Sequence, residues 1–137
     1  MTAKEYLSQA YHINMRIKYK MEEIKLLREL ATKASSMLSG LPRNKQNQHR
    51  MEAIMAEIVD LVQEIEDDMD RLINLKKEII IAIKNLAQPE HQMILEFRYL
   101  QLKKWSEISE IMGYGIDNIY KMHRSALKKL CYPKTVQ

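Results

Sequence analysis

From Ala10 onward the apolar positions Ile13, Ile17, Met21, Ile24, Leu27, Ala31, Ala34 and Leu38 recur at gaps of three and four, which places them on one face of a helix. Nothing between Thr2 and Ser39 interrupts that pattern. The segment Ser39-Gly40-Leu41-Pro42-Arg43-Asn44-Lys45-Gln46-Asn47 then joins a glycine, a proline and a polar run, the signals that stop a helix and open a loop. A second series runs Met51, Met55, Ile58, Val62, Ile65, Met69, Leu72, Ile79, Ile83 and Leu86, interrupted by Lys76 and ended by Pro89. At 1.5 Å per residue both helices reach on the order of 50 to 60 Å, so folding back across the loop matches their lengths. An antiparallel, coiled-coil-like hairpin over residues 1–88 is the expected first domain, and the fold class is all-α.

Further apolar residues lie off these rows, among them Leu26, Leu30, Val59, Leu61, Ile73, Leu75 and Ile80. Two helices share one narrow seam, so a second row needs another layer. A homodimer with a four-helix core supplies it, as does packing against the C-terminal part of the same chain.

After Gln88-Pro89-Glu90 the periodicity shortens. A brief apolar helix is expected from His91 to Leu102, followed by Lys103-Lys104-Trp105-Ser106-Glu107-Ile108-Ser109-Glu110-Ile111-Met112-Gly113-Tyr114-Gly115-Ile116-Asp117-Asn118-Ile119-Tyr120-Lys121-Met122. A helix-turn-helix needs a small residue where the second helix crosses the first, a glycine in the turn, and apolar residues that set the angle. Ser109 and Gly113, four apart, meet the first two needs, and Ile108, Met112, Tyr114, Ile119 and Met122 hold the inward positions. Asp117, Asn118, Tyr120, Lys121, Arg124 and Lys128 fall on the side of the second helix opposite Ile119, Met122, Ala126 and Leu130, and most can hydrogen-bond to base edges or phosphates. Residues 89–137 are thus expected to be a DNA-binding module with a recognition helix over about 116–130.

The segment from Leu95-Glu96-Phe97-Arg98-Tyr99-Leu100 through Ser125-Ala126-Leu127-Lys128-Lys129-Leu130 resembles region 4 of bacterial sigma factors. The shared features are Arg-Tyr-Leu before the motif, Trp-Ser-Glu-Ile opening its first helix, Met-Gly-Tyr in the turn and Ala-Leu-Lys-Lys-Leu closing the second helix. The resemblance implies that Asp117, Asn118, Tyr120 and Lys121 read bases in the major groove. It also implies that Lys103, Lys104, Trp105, Ser106, Arg124 and Lys128 lie near phosphates. Two departures alter the detail. Gly115 stands where the sigma module has a capping Ser or Thr, and Ile116-Asp117 replaces a basic start, so the target need not be a −35 element. Taken whole, hairpin plus motif, the chain resembles small proteins of phages and prophages of Gram-positive bacteria, some of them taken to be late-gene transcription activators.

Charge sharpens the division. Formal charges of +5 over residues 1–47, −5 over 48–90 and +4 over 91–137 suit a basic helix lying along an acidic one, followed by a basic module. Exposed pairs contribute only about 0.2 to 1 kcal/mol each, so charge selects the pairing and apolar burial holds it. Glu66-Asp67-Asp68-Asp70 is expected to be a solvated face opposing the lysines of the first helix rather than a calcium loop, for it lacks the loop's glycine and alternating ligands. Arg43, Lys45 and Arg50 are expected to solvate the hairpin loop, and the ten methionines to fill core rows.

No metal or cofactor is expected, since His12, His49, His91 and His123 are scattered without ligand spacing. Neither a phosphate loop nor a nucleophile motif points to an enzyme or a small-molecule substrate. The longest apolar run, Ile79 to Ile83, is far short of a membrane span, and the lone Cys131 forms no internal disulfide, so a cytoplasmic setting is the simplest. The resulting expectation is a phage-type transcriptional regulator, dimeric through the hairpin and bound to double-stranded DNA, with RNA polymerase as a further partner. The rivals are an adaptor that binds polymerase or a sigma factor without touching DNA, and the small subunit of a DNA-packaging terminase.

Overall fold

A computed structural model describes residues 1–38 and 45–133, with the side chains of 35–38 and 47 left aside. The expectations for Arg43 and for the side chain of Leu38 lie outside the described residues. The fold is all-α: α1 (Ala3–Leu38), α2 (Lys45–Lys84), α3 (Pro89–Leu95), a π-helical turn (Glu96–Leu100), α4 (Trp105–Met112) and α5 (Ile116–Lys129). The first two form a helical hairpin.

Local chemistry accounts for the helix boundaries. Thr2 and Glu5 cap α1 reciprocally: Glu5 N–H donates to Thr2 Oγ1 (3.2 Å) and Thr2 N–H to Glu5 Oε2 (3.1 Å), the Thr-x-x-Glu capping box. Pro89 opens α3, where its missing N–H has no cost, and Gln92 Nε2 donates back to Leu86 O at 2.6 Å, tying the new helix to the end of the old. The expected helix from His91 to Leu102 is in fact α3 plus the π-helical turn, closed by Gln101 N–H to Glu96 O (3.0 Å) and Lys103 N–H to Phe97 O (2.9 Å). Tyr99, four residues after the buried Leu95, faces the inside, and Leu102 follows in the left-handed region at φ 56°.

Two compact units emerge, Asn14–Arg71 and Met1–Ile13 together with Leu72 onward. The boundary expected at 88/89 is displaced. Helices of seven, eight and fourteen residues cannot enclose a core alone, so the start of α1 and the end of α2 complete it. Leu7, Ile79, Ile94, Leu95, Ile108 and Ile119 are fully enclosed there, and Tyr132 stacks on Tyr6 with ring centres 5.5 Å apart.

In the 14–71 unit the helices run antiparallel, with Arg16 against Asp68 and Lys20 against Glu64. The row of α1 that is shielded from solvent reads Ile17, Lys20, Ile24, Leu27, Ala31 and Ala34, and that of α2 reads Met51, Ile54, Ile58, Leu61, Ile65 and Asp68. Both alternate gaps of three and four, the signature of a heptad seam. Four of the expected positions change, one in α1 and three in α2. Met21, Met55, Val62 and Met69 are exposed, while Lys20, Ile54, Leu61 and Asp68 take the seam positions. The expected α2 row shares Met51, Ile58 and Ile65 with the seam and departs from it at alternate positions, where the seam takes Ile54, Leu61 and Asp68. Farther along α2, in the other unit, Leu75 is buried, not off the row.

Asp68 is consequently not the solvated carboxylate expected. Its side chain is 4% exposed and meets Lys20 Nζ at 2.8 Å, Arg16 Nη2 at 3.4 Å and Arg71 Nη1 at 3.8 Å. The hydrogen bond from Lys20 holds its carboxyl below the usual carboxylate range, overcoming the opposite pull of burial, with the three positive charges adding to it.

Candidate nucleic-acid interface

The helix-turn-helix is built around its turn. Gly113 ends α4 at φ +74°, a conformation that opposes any side chain, and donates to Ser109 O at 3.0 Å. Ser109 Oγ donates to Tyr114 O at 2.5 Å, so the small residue in α4 holds the outgoing strand of the turn. Gly115 caps α5 with ordinary backbone angles and no side-chain hydrogen bond. Tyr114 does not fill an inward position: it is exposed, and its hydroxyl donates to Glu90 Oε1 at 2.7 Å, a bond that raises its pKa.

α5 is the most strongly two-sided of the short helices. Ile119, His123, Ala126 and Leu130 form its buried side, at gaps of four, three and four. Asp117, Lys121, Arg124 and Lys128 project from the opposite side and are all exposed, with Asn118 and Tyr120 exposed on its two flanks. The acidic residue stands in the first turn and Lys128 with Lys129 in the last, each favoured by the helix dipole. At the start of α4, Lys104 and Ser106 are exposed, and Lys103 and Trp105 are half-buried. The structure thus gathers Asp117, Lys121, Arg124 and Lys128 on one ridge and leaves Lys103, Lys104 and Ser106 at the other helix's first turn.

Trp105, expected near a phosphate, has its ring engaged in packing. It meets His123 edge-on with centres 4.7 Å apart, meets Tyr120 at 5.5 Å, and carries the Arg98 guanidinium 4.5 Å above its face. Arg98 also donates to Lys103 O at 3.1 Å, which ties the π-helical turn to the entry of α4. Behind Trp105, the Tyr99 hydroxyl and His123 Nε2 share a hydrogen bond of 2.7 Å beneath stacked rings. Burial depresses the His123 pKa to about 4, aided by Lys4, Arg98 and Arg124, and pushes that of Tyr99 up to about 12. Both groups are therefore neutral at neutral pH.

The chain of contacts Tyr99, His123, Trp105 and Tyr120 was missed in the sequence, although His123 lies on the same periodicity as Ile119, Ala126 and Leu130 and so marks itself as an inward residue. Tyr99 follows His91 and Leu95 at gaps of four, so its inward position was open to the same reading.

Among the described residues no group of three His, Cys, Asp or Glu is placed to hold a metal ion, and no helix is long and apolar enough to cross a membrane. Residues 33–131 match a family described as a protein of unknown function (DUF1492), and the chain belongs to that family. No curated protein and no solved structure matches the chain.

Proposed function

We propose that the protein binds double-stranded DNA with α5 in the major groove and acts as a transcriptional regulator of the phage type. The observation that carries this reading is the outer ridge of α5. Lys121, Arg124 and Lys128 stand free on the side opposite the buried residues, with Asn118 and Tyr120 beside them. An exposed two-sided helix following a tight glycine turn has the dimensions of a recognition helix, and a cationic ridge supplies phosphate contacts. Asn118 offers paired donor and acceptor groups suited to adenine, and Asp117 an acceptor suited to the cytosine amino group. Tyr120 is propped from behind by Trp105, so its hydroxyl is presented on a rigid stem. The resemblance of this segment to sigma region 4 supports the same assignment.

The test is titration of the full chain with random-sequence duplex DNA at several salt concentrations. Binding that falls steeply with salt is expected, because each phosphate contact releases counterions. Lys121→Ala and Arg124→Ala should each weaken binding and lower the salt slope by about one. No binding at low salt would exclude the reading and favour an adaptor that touches protein alone.

A further inference from the structure

Outside its seam the 14–71 unit has two uncovered edges, and they differ in kind. On one edge α2 bears Met55, Val62 and Met69 at heptad spacing with Val59 beside them, 39% to 64% exposed, flanked by the exposed Glu52 and Glu66. The corresponding edge of α1 bears Lys18, Lys25 and Arg28, all exposed and free of salt bridges among the described residues. On the other edge the roles are exchanged. There α1 carries the apolar row, Tyr19, Leu26 and Leu30 at 54% to 73% exposure, and α2 carries Glu57, Asp60 and Asp67. Heptad position assigns these edges, and the reach of Lys20 to Glu64 at 3.6 Å, with Arg16 and Arg71 both against Asp68, fixes which edges of the two helices lie together.

We infer that hairpins of separate copies associate head to tail, one copy's first edge on the next copy's second edge. With the second copy turned by half a revolution about the normal to the hairpin plane, the α2 row of one lies on the α1 row of the other, apolar on apolar. The same turn sets Lys18, Lys25 and Arg28 over Glu57, Asp60 and Asp67. Two copies joined by the first edge of each do worse in both symmetric arrangements. One sets the three basic residues over their own counterparts, like charge on like. The other sets them over four apolar residues with Glu52 and Glu66, and leaves Glu57, Asp60 and Asp67 without a cationic partner. A head-to-tail contact leaves an unused edge at each end, and a half turn with a shift along its own axis does not close, so the contact propagates into an open chain rather than stopping at a pair. This inference is independent of DNA binding.

The experiment measures mass by light scattering and sedimentation on the full chain without DNA, with circular dichroism as the check on folding. The wild type is expected above the monomer mass, growing with concentration. Val59→Glu on the first edge and Leu26→Glu on the second should each be monomeric alone, yet form a 1:1 heterodimer when mixed. Lys25→Glu and Asp60→Lys form a milder second pair, each weakened about tenfold alone and restored in the mixture. A monomeric wild type, a Leu26→Glu variant that still assembles, or mixtures that do not pair would each overturn the inference.

Discussion

Lys20 Nζ lies 2.8 Å from Asp68 Oδ2 at facing positions of the heptad seam, where every neighbouring layer is apolar. The pair is half sheltered on the lysine side and nearly enclosed on the aspartate side, at 21% and 4% exposure. Such a layer contributes little net stability, because taking both charges out of water offsets their attraction. Its effect is on alignment: sliding either helix by one heptad would set a charge against an apolar partner.

Removing one partner should therefore cost far more than removing both. Lys20→Met leaves Asp68 with only the longer contacts to Arg16 and Arg71 and is expected to destabilise the unit by roughly 2 to 3 kcal/mol. The double change Lys20→Leu with Asp68→Leu should recover most of that loss, read by urea unfolding. Recovery of nothing would mean that the pair is itself a principal source of stability.

Acid should weaken the unit that contains His123. In the native chain this imidazole takes up its proton only near pH 4, whereas in the unfolded chain it does so near 6.5. Between those values the unfolded state binds the extra proton, so stability is full above about pH 6.5, declines as pH falls, and levels off near pH 4. The burial of His91 depresses its pKa as well and adds in the same direction. The loss from His123 is on the order of 3 kcal/mol. Melting followed by the fluorescence of Trp105, the single tryptophan, reports it, and His123→Gln should flatten the slope across that window.

The two turn glycines should respond in opposite ways, although a Cβ would meet nothing within 4 Å at either. Gly113→Ala forces a side chain into φ +74° and should cost about 1 to 2 kcal/mol. Gly115→Ser stands at ordinary angles and supplies the hydroxyl missing from the cap of α5, for a gain of a few tenths of a kcal/mol. Thermal midpoints of the two variants distinguish backbone strain from crowding.

A fragment of residues 89–137 should fail to fold, because it lacks Leu7 and Ile79, both fully enclosed in the same core as Ile108 and Ile119. Leu7→Ala in the full chain should lower stability by about 2 to 5 kcal/mol and loosen the packing around α5 along with it. A fragment with a cooperative melt and native-like helicity would contradict this.

Composition and periodicity made the helical class, the hairpin and the glycine turn legible, because each is written in local spacing: the three-and-four rows of α1, the break after Ser39, and Gly113 four residues past Ser109. The outer ridge of α5 was legible for the same reason. What escaped was set by tertiary context. Whether Ile54, Leu61 and Asp68 or Met55, Val62 and Met69 join Met51, Ile58 and Ile65 depends on which set meets α1, and Glu66-Asp67-Asp68-Asp70 read as a solvated face. The packing of Trp105 against Arg98, His123 and Tyr120 likewise depends on residues distant in the chain and has no mark in local spacing.

The core shared by Leu7, Ile79 and Ile119 has a bearing on how the chain is made. Synthesis delivers Leu7 more than a hundred residues before Ile119, so the core they share cannot close until α5 has been made. The hairpin between them has only neighbouring partners to find and can form early, bringing the two distant ends within reach of each other. On this order of events the outward ridge of α5 takes shape after the hairpin, and a chain stalled between the two would carry a finished hairpin without that ridge.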